Sequence, residues 1–217
     1  MWHLNLEKVE LALGNELGDG LGAVAVETGT CRGNGTKALA QKFSRVISME
    51  LSPALHEESA RRLAGLANVR LLQGNSAALL PVVLAELAEE PSVFFFLDAH
   101  WSGDSSVPWS EGRWKGYGFD TAHLGAEGTA PSGPEQCPLA EELRAITEQC
   151  RGRAVVLIDD AKNLPETGAG ARGLEFPGED WSHLSREGLR AIAGARLTAE
   201  RWLRDPEQWL MVLRALD

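Results

Sequence analysis

Hydrophobic positions along this chain follow two alternating patterns. Short, nearly unbroken apolar runs stand before an acid: AVAV before Glu27, VISM before Glu50, VFFFL before Asp98 and AVVLI before Asp159. Between them lie stretches whose apolar residues recur every three or four positions. A brief apolar run suits a strand covered on both faces, and the longer spacing suits a helix with one face on a core.

Taken in order, the pattern predicts a first helix from Asn5 to about Gly18, carried by Leu6, Val9, Leu13 and Leu17 and weakened by Gly14. Strands follow at Gly22 to Glu27, Arg45 to Glu50, Asn68 to Gln73, Val93 to Leu97 and Ala154 to Ile158. The helices between them are expected at Gly35 to Phe43, Pro53 to about Leu66, Ser76 to Glu89 and Pro138 to Gln149. Pro53 suits a first helical turn, whereas Pro81 interrupts or restarts its helix. A helix from Ser182 to Ala193, with Ser182 or Ser185 as N-cap, precedes two strand-like runs at Arg196 to Leu203 and Gln208 to Leu213. Asp205-Pro206 separates those runs, which predicts a hairpin forming an antiparallel edge. Strands alternating with helices give an α/β fold: a doubly wound, Rossmann-like, mostly parallel sheet with right-handed crossovers.

The stretch from 99 to 136 breaks the rhythm. It is rich in Gly, Ser, Pro and Trp, and holds His100, Trp101, Trp109, Trp114, Tyr117, Phe119 and His123. A loop of that length in a compact domain is commonly functional or disordered. The 217 residues therefore read as one domain, residues 1–217, with an active-site insertion at about 99–136 whose aromatics form a lid, an acceptor pocket or a surface loop.

Composition narrows the partners. Hydrophobic residues make up 44% and charged residues 24%, values of a globular protein. A net charge of −10 without a basic cluster argues against nucleic acid and anionic membrane as partners and for a small molecule. No basic-then-apolar leader and no run of about 18 apolar residues is present, so the cytoplasm is expected. Cys31, Cys137 and Cys150 have neither disulfide nor zinc spacing and are expected as free thiols. Exposed helix faces leave room for a homodimer.

The stretch AVETGTCRGNGT, from Ala25 to Thr36, places a glycine turn between the first strand and the following helix. In an open α/β sheet the ligand crevice lies beyond such strand ends. The spacing Gly29-x-x-x-Gly33-x-Gly35-Thr36-Lys37 matches neither the dinucleotide fingerprint nor the P-loop. Glu27 at the entrance would repel a pyrophosphate and receive a cationic group. Glu50, at the next strand end, is positioned to accept hydrogen bonds from ribose hydroxyls. Gly74-Asn75-Ser76 falls where an adenine edge would lie, although turn chemistry alone also explains it.

These residues resemble the class I S-adenosylmethionine-dependent methyltransferases. The turn is most similar to the E-x-G-x-x-x-G-x-[GST] version of cation-dependent O-methyltransferases of the catechol, caffeoyl-CoA and macrocin types. The resemblance runs from about Val24 to Asp160 and includes the terminal hairpin. It implies a seven-stranded sheet, with S-adenosylmethionine held by Glu27, Gly29, Thr30 and Gly33 near its methionine end. Glu50 would hold the ribose, Asn75 and Ser76 the adenine, and Asp98 lies at the reacting end.

The resemblance also implies Mg²⁺ or another divalent cation on Asp98, Asp159 and Asp160, which come from LDAHWSGD and LIDDA. Oxygen donors of that kind suit a hard cation, which lowers the pKa of an acceptor hydroxyl. Trp101 stands where catechol-type enzymes carry a lysine base, so His100 is the candidate general base beside Asp98. The alternatives are strand-end aspartates that cap turns, a structural His100, and a metal-free enzyme in which Asp98 contacts the methionine amino group. The function expected is methyl transfer to oxygen of a small-molecule acceptor. Against it stand a non-catalytic regulatory protein that binds S-adenosylmethionine or S-adenosylhomocysteine, and another metal-assisted enzyme on the same scaffold.

Overall fold

The computed structural model describes residues 4–14, 20–103, 133–172, 178–204 and 207–216. Their elements run α1 (Leu6–Leu13), β1 (Val24–Thr28), α2 (Asn34–Lys42), β2 (Arg45–Glu50), α3 (Pro53–Leu63), β3 (Val69–Gln73), α4 (Ser76–Glu86) and β4 (Ser92–Leu97). After the 99–136 segment come α5 (Leu139–Gln149), β5 (Arg153–Ile158), α6 (Arg186–Ala193), β6 (Leu197–Leu203) and β7 (Gln208–Leu213). Most of the expected insertion, and the Trp109, Trp114, Tyr117, Phe119 and His123 within it, lies outside the described residues.

Local chemistry starts the helices where the sequence carries small polar residues. Asn5, Ser52, Asn75 and Ser185 each accept a backbone N–H of the first turn, and Pro53 follows Ser52 at the first helical position. Ser185 rather than Ser182 is the cap of α6, which shortens that helix. Pro81 lies inside α4 and does not divide it. Gly14, at a φ of +48°, ends α1 ahead of the expected Gly18.

One seven-stranded sheet has the order β3-β2-β1-β4-β5-β7-β6. Strands β1 to β5 pair in parallel, and β7 is antiparallel to both its neighbours. The expected antiparallel hairpin forms one edge of the sheet. Its second strand, β7, enters the sheet beside β5, and β6 forms the edge. The burial explains the order: QWLMVL of β7 is buried at every position, whereas β6 is partly exposed throughout.

Successive residues of β4 point to opposite layers. Phe95 and Leu97 join the core under α4, α5 and α6, whereas Phe94 and Phe96 join the core under α1 and α2, where Phe43 stacks on Phe94 at 5.3 Å. Strand order reverses between β1 and β4: β2 and β3 lie to one side of β1, and β4 and β5 to the other. A crevice opens at such a switch point, beyond the carboxyl ends of the strands.

Candidate functional site

Glu27 and Ser48 are register partners on β1 and β2, which brings the Ser48 hydroxyl to 2.6 Å from Glu27 Oε2. The start of α2 brings the Thr36 hydroxyl to the same oxygen at 2.5 Å, and the Thr30 and Ser48 hydroxyls bond each other at 2.5 Å. Glu27 is 0% exposed, and its Oε1 has no hydrogen-bond partner among the described residues. Burial raises its pKa to about 7, against the opposing pull of the two hydroxyls.

The turn after β1 wraps around the end of β2. Gly29 and Thr30 both donate their N–H to the Met49 carbonyl, at 2.9 and 3.0 Å. The Cys31 N–H donates to Glu50 Oε2 at 2.7 Å, and the Ser52 N–H donates to Oε1 at 2.8 Å, so the carboxylate is aimed by two backbone groups. Burial nonetheless raises the Glu50 pKa. Gly33, at a φ of +76°, begins α2 without a side-chain cap.

Just after β3 the Asn75 side-chain Oδ1 accepts the Ala77 N–H at 2.9 Å. Ser76 donates to Glu142 Oε1 of α5 at 2.5 Å. Glu142 is 0% exposed, its Oε2 is without a hydrogen-bond partner among the described residues, and burial lifts its pKa to about 7. The sequence reading passed over Glu142. It sits on the apolar face of α5 with Leu139, Leu143 and Ile146, and an acid at that spacing was the available signal.

The ends of β4 and β5 gather a second polar group. His100 Nε2 lies 3.1 Å from Asp160 Oδ2 and 4.0 Å from Asp98 Oδ1, and its Nδ1 lies 3.4 Å from Glu179 Oε1. Glu179 is itself held by the Trp181 indole N–H at 2.7 Å, and the Trp181 ring lies 5.3 Å from that of His100. Burial opposes the charged imidazole, but the bonds to Asp160 and Glu179 prevail and raise its pKa to about 10. Burial and the neighbouring Asp159 push Asp98 well above the usual carboxylate range. In Asp160 the His100 contact outweighs burial, and its pKa is lowered. A recess of about 210 Å³, counted with its open mouth, is lined by Asp98, His100, Glu142, Asp159 and Trp181 among others.

No protein-family profile matches the sequence, and no curated protein matches it significantly. Solved structures do match. The PH0226 protein from Pyrococcus horikoshii OT3 superposes with a TM-score of 0.54 at 12% identity, covering 97% of this chain and 91% of its own. An O-methyltransferase from Bacillus cereus, in complex with S-adenosylhomocysteine, gives 0.51 at 15% identity over 96% and 79%. The O-methyltransferase TomG from Streptomyces achromogenes, in complex with S-adenosylmethionine, gives 0.50 at 16% identity over 98% and 82%. The chain has the class I methyltransferase fold.

Within that fold, the structure brings Glu27, Gly29, Thr30, Gly33 and Glu50 together around the ends of β1 and β2. Asn75 and Ser76 stand at the neighbouring strand end, where the Asn75 side chain caps α4 and the Ser76 hydroxyl bonds Glu142. Of the three acids assigned to a cation, Asp98 and Asp160 cluster with His100, and Asp159 Oδ1 accepts the Gln208 amide at 2.9 Å. The base role assigned to His100 meets an obstacle here. Clamped between Asp160 and Glu179, its imidazole has a pKa raised to about 10, which favours the form that donates rather than accepts. Glu179 and Trp181 lie beyond a Gly/Pro-rich loop with no periodicity, and nothing in the sequence pattern marks them.

Proposed function

We propose that this chain is an S-adenosylmethionine-dependent methyltransferase that acts on an oxygen of a small-molecule acceptor. One observation carries the reading: a fully buried acid, Glu27, with an oxygen that is unpartnered among the described residues, lies beneath a left-handed glycine turn at the switch point, beside a second acid at the end of β2. A buried, unpartnered carboxylate oxygen calls for a cationic or donor group. The amino-acid end of S-adenosylmethionine has an ammonium, and the ribose has two hydroxyls for Glu50. These residues fit the cofactor.

The cofactor's sulfonium supplies an electrophilic methyl group. The chain's own residues do the rest. Glu27, Gly29, Thr30 and Gly33 hold the methionine end, Glu50 orients the ribose, and Asn75 with Ser76 borders the adenine. The recess beside Asp98 receives the acceptor oxygen, and the Asp98 carboxylate takes its proton. Alignment of nucleophile and methyl group provides most of the rate. The acids at the ends of β4 and β5, Asp98, Asp159 and Asp160, are a set that could hold Mg²⁺ or another divalent cation and acidify the acceptor hydroxyl. The net charge of −10 favours a small acceptor over nucleic acid.

Methyl transfer from labelled S-adenosylmethionine to a panel of phenols, sugars and carboxylates tests the reading. Label in an oxygen-linked product supports it. Binding of S-adenosylhomocysteine without turnover of any acceptor would point instead to a regulatory protein.

A further inference from the structure

We propose that Asp98, His100 and Asp160 hold a divalent transition cation through two carboxylate oxygens and the imidazole Nε2, with Glu179 orienting the imidazole from its other side. This deepens the cation-assisted reading above and rests on it for the cation's purpose. It differs in its donors: a nitrogen from His100 takes the place given to Asp159.

The three donor atoms lie within 4.8 Å of one another, with Nε2 3.1 Å from Asp160 and 4.0 Å from Asp98. An ion with ligand bonds of about 2.1 Å bridges donors roughly 3 to 4 Å apart, so small rotations close the set. On the far side of the ring, Nδ1 faces Glu179 Oε1 at 3.4 Å and the Trp101 carbonyl at 3.2 Å. A ring N–H directed to a carboxylate or carbonyl is how proteins fix a metal-binding imidazole, leaving the other nitrogen's lone pair for the ion. Glu179 is buried and tied to the Trp181 indole, so this support is rigid.

Charge points the same way. Asp98, Asp160 and Glu179 face one imidazole, and Asp159 and Asp160 both act on Asp98 to raise its pKa. An independent signal comes from α5: Glu142 lines the same recess, is 0% exposed, and its Oε2 has no hydrogen-bond partner among the described residues. A buried oxygen left in that condition is costly unless something enters the recess, such as an ion's water. Asp159, in contrast, is drawn toward β7 by the Gln208 amide. One nitrogen among oxygens shifts preference from Mg²⁺ toward Mn²⁺, Fe²⁺, Co²⁺ or Zn²⁺. A nitrogen bound to a cation cannot also take a proton, so proton acceptance falls to a carboxylate of the recess.

Mn²⁺ is the probe. The full chain is titrated with MnCl₂ and with MgCl₂ by calorimetry, and the Mn²⁺ complex is examined by pulsed electron paramagnetic resonance for coupling to a ¹⁴N nucleus. The inference expects Mn²⁺ to bind at least about tenfold more tightly than Mg²⁺, with nitrogen coupling present. His100→Ala should lose the coupling and most of the affinity, Glu179→Gln should lose about tenfold and keep the coupling, and Asp159→Asn should lose less than His100→Ala. Thermal melts confirm that each variant folds, and Glu179→Gln carries the test if His100→Ala does not. Absence of Mn²⁺ binding at millimolar concentration, Mn²⁺ binding without nitrogen coupling, or a greater loss in Asp159→Asn than in His100→Ala overturns it. S-adenosylhomocysteine is titrated on the same protein. Its binding without Mn²⁺ binding defeats this inference alone, and the reverse result defeats the methyltransferase reading alone.

Discussion

A β-carbon placed on Gly29 would stand 2.4 Å from the carbonyl oxygen of Asp98. The first glycine of the turn and the first acid of the β4 end are therefore in backbone contact, where β1 and β4 part. Gly29 also has a φ of +83°, a conformation that side chains resist. Gly29→Ala should cost on the order of 3 kcal/mol from strain and overpacking together. Urea denaturation measures that loss, and calorimetry of the folded fraction should show weakened S-adenosylhomocysteine binding.

Glu27 and Glu142 give stability a defined pH dependence. Burial raises each from the ordinary 4.5 to about 7, so between those values the folded chain binds protons that the unfolded chain has released. Their stabilising contribution is complete below pH 4.5 and is lost as pH rises through 7. The loss is on the order of 3 kcal/mol for each acid. Glu27→Gln, whose amide has no proton to lose, should gain stability relative to the native chain as pH rises. Denaturation midpoints at about pH 5 and pH 8 check this, and a constant difference between the two chains would contradict it.

Gln136 joins the two flanks of the long segment to the loop before α6. Its carbonyl accepts the Trp101 N–H at 2.8 Å, while its side chain accepts the Asp180 N–H at 2.7 Å and donates to the Gly178 carbonyl at 3.0 Å. Gln136→Ala leaves a buried N–H and a carbonyl to find other partners, at a cost of about 2 kcal/mol. Because Glu179 lies between the two anchored residues, the same variant should weaken Mn²⁺ binding.

Arg196 closes the carboxyl end of α5. Its guanidinium donates to the carbonyls of Ile146 and Thr147 at 3.1 and 2.6 Å, and to those of Gly152 and Arg214 at 3.1 and 2.8 Å. Arg196→Met keeps the apolar stem and removes all four bonds. A loss of about 3 kcal/mol by urea denaturation is expected, without change in ligand affinity.

The strands were legible because each carries a local signal. Arg45–Glu50 and Gln208–Leu213 fall where the apolar runs place them, since a strand covered on both faces must be apolar throughout. The position of β7 was not legible, because a hairpin of two short strands can dock by either member and only the burial of all of QWLMVL decides which. At the site, the strand-end acids could be named because a strand end is readable. The contacts of His100 could not, since Glu179 approaches it from a segment with no periodic pattern and a strand end does not say which way Asp160 turns. Glu142 departs from the rule that acids occupy exposed helix faces, and its place between Leu139 and Leu143 is what marks it as buried.

Calorimetric titration of S-adenosylhomocysteine into the native chain and into Glu50→Ala tests the cofactor site most directly. The site described here predicts saturable heat in the native chain and a loss of about tenfold or more, roughly 1.4 kcal/mol, in the variant. No heat at millimolar ligand, or equal binding by both chains, would contradict it.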